Sequence, residues 1–265
     1  MPSGSVSFPL EWNVMRAGSP HGIGRVLDPK RARGNASGRS IPQSVRLTGP
    51  SRAAKPVAMT DLTPFSTHLR AEAVTLSRGG RSVVSGLSLS ASPGDAILLT
   101  GRNGAGKTTL LRALGGLLQP DMGTVTLNGE ASRRAAAMHC AWLGHADGLK
   151  PSETVREALT FAARLHETAL HEVDAALNAL AIDRLDERPC GRLSRGQGRR
   201  VAIARILLSG RPVWLLDEPA GPLDTAGRDL LAGAVRGHRA KGGIVIAATH
   251  QVLDWPDAQI TEIGA

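Results

Sequence analysis

The chain has 265 residues, enough for one domain or two small ones, and its 42% apolar composition suffices for a substantial core. Its formal charge of +9 is unevenly spread: residues 1–66 carry nine Lys/Arg against three Asp/Glu, a surplus of six, which leaves residues 67–265 with 9 − 6 = +3. No apolar run reaches the roughly 18 residues that cross a bilayer. Two cysteines, Cys140 and Cys190, are too few for a disulfide framework or a paired metal site, so reduced, packed thiols in the cytosol are expected.

Residues 1–66 are rich in Gly, Ser, Pro and Arg and lack helical or alternating apolar patterning, so they are expected to be a disordered basic extension. Three readings stay open for them: a basic arm for nucleic acid or anionic lipid, a solvated extension, or an untranslated stretch ahead of a true start at Met59. They lack a secretory signal's plan, since no apolar core follows the positive residues.

From Leu69 the texture changes. Residues 69–76 and 83–90 alternate apolar with small or polar side chains around Arg78-Gly79-Gly80-Arg81, which predicts an antiparallel hairpin. A buried strand over 96–100, a glycine loop and a helix over 107–118 follow in the order of a parallel α/β unit, and 123–127 returns as a strand. Residues 152–190 carry apolar residues at helical spacing (Val155, Leu159, Ala162 and Leu165, then Leu170, Val173, Leu177 and Leu180), which predicts a helical insertion. A basic helix over 199–208, a strand over 213–216, an amphipathic helix over 225–239, a strand over 244–248 and a short strand near Ile260 complete the chain. The expected fold is α/β over residues 67–265, with an N-terminal antiparallel β subdomain and the helical insertion interrupting the core.

Gly101-Arg102-Asn103-Gly104-Ala105-Gly106-Lys107-Thr108 matches the phosphate-binding P-loop, and it lies between an apolar strand and a helix, the context that motif requires. Its glycines let backbone N–H groups curl around a phosphate, and the helix points its positive end at the same anion. Lys107 would neutralise the β/γ-phosphates of ATP, the Thr108 hydroxyl would ligate Mg²⁺ and Thr109 would bond the α-phosphate. A bare glycine turn with an exposed lysine would leave both flanking elements unexplained.

Val213-Trp214-Leu215-Leu216-Asp217-Glu218 is an apolar strand ending in two acids, delivered to the crevice at the carboxyl ends of a parallel sheet. Asp217 would hold the magnesium and Glu218 would polarise the attacking water as general base. An Asp-Glu pair elsewhere is usually a solvated helix start; behind four apolar residues that reading weakens.

Leu193-Ser194-Arg195-Gly196-Gln197 opens a helix, and alone it is only a helix N-terminus able to bind an anion. Some 20 residues ahead of the Asp-Glu strand, it resembles the signature of ABC ATPases, a P-loop NTPase family that the chain resembles throughout residues 69–265. Arg195 departs from the glycine commonest there. The resemblance implies a dimer in which Ser194, Gly196 and Gln197 close over ATP held by the partner's P-loop, Gly221–Asp224 crosses the same interface, and His250 contacts the γ-phosphate. For a lone histidine a satisfied surface role is commoner; the strand end ahead of His250 reverses that.

Two further departures narrow the resemblance. His145, in Gly144-His145-Ala146-Asp147-Gly148-Leu149-Lys150, stands where most of the family has a glutamine that reaches the metal, and this run is similar to the ATP-binding subunits of the heme exporters of cytochrome c biogenesis. Arg78 occupies the place of the aromatic that usually stacks on adenine, and a guanidinium plane can stack on a base. The resemblance implies an ATP-hydrolysing homodimer beneath integral-membrane permease subunits, peripheral on the cytoplasmic face of the inner membrane. The alternative within the class is the ATPase of a lipid, polysaccharide or drug exporter. Nucleic-acid-acting ABC ATPases usually carry paired units or long coiled coils, and this chain has neither heptads nor a repeat, so no direct nucleic-acid contact is expected.

Overall fold

The computed structural model describes residues 65–251 and 253–264; the rest of the basic stretch, and Met59 with it, lie outside the described residues. The expected hairpin forms from β1 (Leu69–Arg78) and β2 (Arg81–Ala91), closed by Gly79 and Gly80 at φ 58° and 75°. Two consecutive positive φ values suit the twist of a two-residue hairpin. β3 (Ala96–Thr100) leads into α1 (Lys107–Leu114), which stops four residues short of the expected Leu118 because Gly115 and left-handed Gly116 (φ 67°) end it. β4 (Met122–Leu127) pairs antiparallel with β1, giving a three-stranded sheet in the order β2-β1-β4.

α2 (Arg133–His139) and β5 (Cys140–Leu143) were not expected from the sequence. The helix buries only Ala135 and Ala136, and a strand of four residues is too short to display alternation. The insertion contains α3 (Val155–Leu165) and α4 (Glu172–Ala179), the first opened by a capping box between Thr154 and Glu157. α5 (Arg195–Leu207) joins the helix opening expected at 193–197 and the basic helix expected over 199–208 into one element, started by a second capping box between Ser194 and Gln197. β6 (Val213–Asp217), α6 (Thr225–Ala240), β7 (Ile244–Ala248) and β8 (Gln259–Glu262) follow close to expectation.

β5-β6-β7-β3-β8 form one sheet with every adjacent pair parallel. Its central strands are apolar along their length because both faces are covered. Val213, Leu215, Ile244, Ile246, Ile97 and Leu99 face one core with α1 and the antiparallel sheet, while Trp214, Leu216, Val245, Ala247 and Leu98 face the other with the helices of the insertion and α5. The consequence for function is positional: the carboxyl ends of β5, β6, β7 and β3 open side by side along one edge.

The packed domain already includes Phe65, two residues ahead of the start expected at 67. Phe65 N–H donates to Lys241 O at 3.1 Å and its ring lies 5.4 Å from that of His238, so Phe65 is part of the packed domain. His238, buried on α6, stacks on Trp214 at 3.9 Å and 11°, and its Nε2 lies 3.1 Å from Pro212 O. Desolvation pushes its imidazole from 6.5 down to about 4, against the opposing pull of the Pro212 carbonyl. The folded form therefore prefers the neutral ring. Stability is whole above pH 6.5 and falls as pH drops towards 4, by an amount on the order of 3 kcal/mol. His166, lowered by burial and by Arg211 and Arg205, adds to the same slope. Denaturant unfolding between pH 4.5 and 7 should show this loss, and His238→Phe should remove most of it; an unchanged slope would contradict a buried neutral ring.

Candidate active site

The loop between β3 and α1 turns on three glycines with positive φ: Gly101 at 127°, Gly104 at 83° and Gly106 at 105°. At Gly101 a Cβ would lie 2.3 Å from Ile263 O, a backbone atom that cannot yield, and at Gly106 it would lie 3.0 Å from Val83 O. Lys107 is buried, and its Nζ donates to Gly101 O at 2.7 Å and Arg102 O at 3.1 Å, so the ammonium lies folded over the loop. Arg102, Asn103 and Gly104 are exposed, Ala105 is half-buried and Thr109 is buried. Although Ala105 N–H donates to Arg102 O at 3.1 Å within the loop, a glycine turn ahead of a helix N-terminus is a cradle for phosphate.

Beside the loop, Thr108 Oγ1 donates to Asp217 Oδ1 at 2.9 Å. Asp217 ends β6 and is buried. Glu218 follows with a left-handed backbone, φ 47°, which costs a non-glycine residue about 1–2 kcal/mol. Its N–H donates to Ala248 O at 2.9 Å, tying it to the end of β7. Its Oε2 is buried and receives no hydrogen bond of acceptable angle, although His250 Nδ1 lies 2.9 Å away, within ion-pair distance. A carboxylate oxygen left without a donor can accept a hydrogen bond from a bound water.

These residues border a cavity of about 380 Å³, into which Arg78, Asn103, Lys107, Thr108, Thr109 and Glu218 all reach, with the exposed His145 on its rim. A second cavity of about 330 Å³ shares His145 and Glu218 and adds Arg195, Pro222 and His250. Ser194, Gly196 and Gln197 border neither. Ser194 Oγ accepts from Gln197 N–H at 3.2 Å and Gln197 Oε1 accepts from Ser194 N–H at 3.0 Å, so both side chains cap α5 within the subunit. A Cβ at Gly196 would lie 3.0 Å from Pro222 O, so the start of α5 abuts the loop 221–224.

One organising residue is, in the sequence, only a basic position of the helix over 199–208 with no expected role at the site. Arg199, 1% exposed, donates all five of its N–H groups: to Pro219 O, Gly144 O, Asp147 Oδ1, Asp217 O and Glu218 O, at 2.7–3.2 Å. One hint was available, since an arginine inside an otherwise apolar helix face demands buried acceptors.

A family profile for ABC transporters matches residues 84–221. The chain belongs to the ABC transporter family, as an ATP-binding subunit. The cytochrome c biogenesis ATP-binding export protein CcmA of Maricaulis maris (strain MCS10) is 51% identical over 205 residues, covering 77% of this chain and 95% of that protein. Its namesake in Rhodobacter capsulatus is 44% identical over 198 residues, covering 75% and 88%. Among solved structures, cbiO1 of Clostridium perfringens, part of an ABC transporter complex, superposes with TM-score 0.65 at 25% identity over 75% of this chain and 85% of that one. An ATP-binding subunit of another ABC transporter gives 0.67 at 22% identity, covering 74% and 85%. ATP-binding subunits of this family work in pairs with membrane permeases. In this ABC ATPase no helix among the described residues is long and apolar enough to cross a membrane.

The clash at Gly101 yields a direct check. Gly101→Ala should weaken ATP binding by at least about tenfold, the equivalent of about 1.4 kcal/mol of loop distortion, with a small fall in melting temperature. Titration with a fluorescent ATP analogue measures it, and unchanged affinity would show that the loop tolerates the displacement.

Proposed function

We propose that this chain hydrolyses Mg²⁺-ATP as one of two identical subunits that drive a membrane permease, in the heme-exporting branch of cytochrome c biogenesis. The observation that carries the hydrolytic reading is the meeting of Thr108 and Asp217 at 2.9 Å, with the undersatisfied Glu218 carboxylate next in sequence, at the mouth of the glycine loop. The export branch is supported by 51% identity over 95% of a protein named for that pathway.

Each residue then has a defined task. Backbone N–H groups of Asn103, Gly104, Ala105 and Gly106 wrap the β-phosphate and Lys107 neutralises the β- and γ-phosphates. Thr109 bonds the α-phosphate, and Arg78, at the end of β1, lies flat on the adenine. A hydroxyl and a carboxylate are the hard oxygen donors that magnesium prefers, so Thr108 and Asp217 would hold the metal. When bound, Mg²⁺ neutralises charge building on the γ-phosphate. Glu218 takes the proton of the attacking water, and His250, held against it, contacts the γ-phosphate and fixes the carboxylate's direction. His145 reaches the same phosphate edge from the end of β5.

Ser194 and Gly196, set apart from this cavity at the start of α5, grip the γ-phosphate on the partner subunit's loop, with Gln197 holding the helix start in shape. Closure is then a population shift that ATP drives and hydrolysis reverses. The pair sits on the cytoplasmic face of the inner membrane, bound through its permease.

Glu218→Gln keeps the shape and binding contacts while removing the base, so it should retain ATP, elute as a dimer and lose turnover by at least about 100-fold. Trapped in that state and purified from native membranes, it should bring down permease subunits whose gene neighbourhood is that of cytochrome c maturation, and its cells should lack c-type cytochromes. Normal turnover would remove Glu218 from the role; a co-purifying lipid or drug exporter, with cytochromes intact, would move the chain to another branch.

A further inference from the structure

We propose that Arg199 is a positioning residue for hydrolysis: it holds Glu218 in its left-handed backbone conformation and locks the loop carrying His145 to the same frame. The inference rests on Glu218 acting as the base.

Glu218 carries backbone strain. A non-glycine residue at φ 47° reverts to extended or right-handed backbone unless its surroundings over-determine it. Two contacts oppose reversion. The N–H of Glu218 is tied to Ala248 O, and the carbonyls on either side of its Cα, Asp217 O and Glu218 O, are both held by Arg199 Nη2 at 2.7 and 2.8 Å. Nε adds Pro219 O at 3.2 Å, so one planar group grips three successive carbonyls.

The opposite edge of the guanidinium faces the other loop. Nη1 donates to Gly144 O at 2.7 Å and to Asp147 Oδ1 at 3.0 Å, bracketing His145. Asp147 is the single carboxylate paired with this buried charge among the described residues. Glu218 and His145 border both cavities described above, and Arg199 borders only the second, so it can set their separation without lining the cavity at the glycine loop. Arg199 also lies on α5, one turn beyond Ser194. Displacement of the signature helix by the partner's nucleotide would therefore reach Glu218 of the same subunit through a rigid five-bond fork.

Lysine has three donors in a tetrahedral head and cannot span five acceptors in a plane. Arg199→Lys in the full-length chain should keep its fold and bind ATP within about threefold of wild type, while kcat falls about 30-fold or more, the loss expected when a base is misaimed. Arg199→Gln, which leaves no unpaired buried cation, should show the same split. In the Glu218→Gln background, where no base remains to aim, Arg199→Lys should cost the residual single-turnover hydrolysis less than about twofold. A folded Arg199 variant with wild-type kcat would overturn the proposal. An equal loss in both backgrounds would do the same, as would failure of both variants to fold, which would make Arg199 a residue of stability alone. Normal turnover in the Glu218→Gln single variant would instead sink the reading of Glu218, a result obtained from a different sample.

Discussion

The hydrogen bond from Thr108 to Asp217 joins residues 109 positions apart at 2.9 Å, and the rest of the site is arranged around it. It exists because β3 and β6 lie on either side of β7 in one parallel sheet, so the loop leaving β3 and the acid ending β6 emerge at the same edge. Register completes the placement: Asp217 pairs with Ala248, which puts Glu218 and His250 just beyond two adjacent strand ends. The sheet can hold that register because both its faces are buried, and a slip by one residue would exchange the two cores.

The surroundings of that contact are costly and are held from several directions. Lys107, Asp217 and Arg199 are buried charges, and Glu218 carries backbone strain. Charges in such positions persist only with partners. Lys107 leans on the carbonyls of its own loop, Asp217 on Thr108, and Arg199 on one carboxylate and four carbonyls. This concentration of cost at one edge of a well-packed sheet is the pattern expected of a functional site.

Much of this was legible in the sequence, for particular reasons. The strands over 96–100, 213–216 and 244–248 are continuous apolar runs, and the phosphate loop and the Asp-Glu pair each sit at the end of one. Ser194, Gly196 and Gln197, expected at the nucleotide, lie apart from the cavity at the glycine loop. What the sequence concealed was of two kinds. α2 and β5 are short and carry little amphipathic contrast, and Leu114 ends a helix that apolar spacing alone extends to Leu118. Arg199 was hidden differently: an arginine on an apolar helix face hints at buried acceptors, but which carbonyls of two distant loops it meets leaves no mark in the sequence.

One triphosphate and its metal are expected to fit between the glycine loop and Asp217. A crystal structure with Mn²⁺ and a non-hydrolysable ATP analogue tests it most directly, through the anomalous signal of the metal. An Mn²⁺ peak is expected between Thr108 Oγ1 and the Asp217 carboxylate, with the β-phosphate inside the loop 101–106. A metal peak away from both residues, or a nucleotide bound outside that loop, would contradict it.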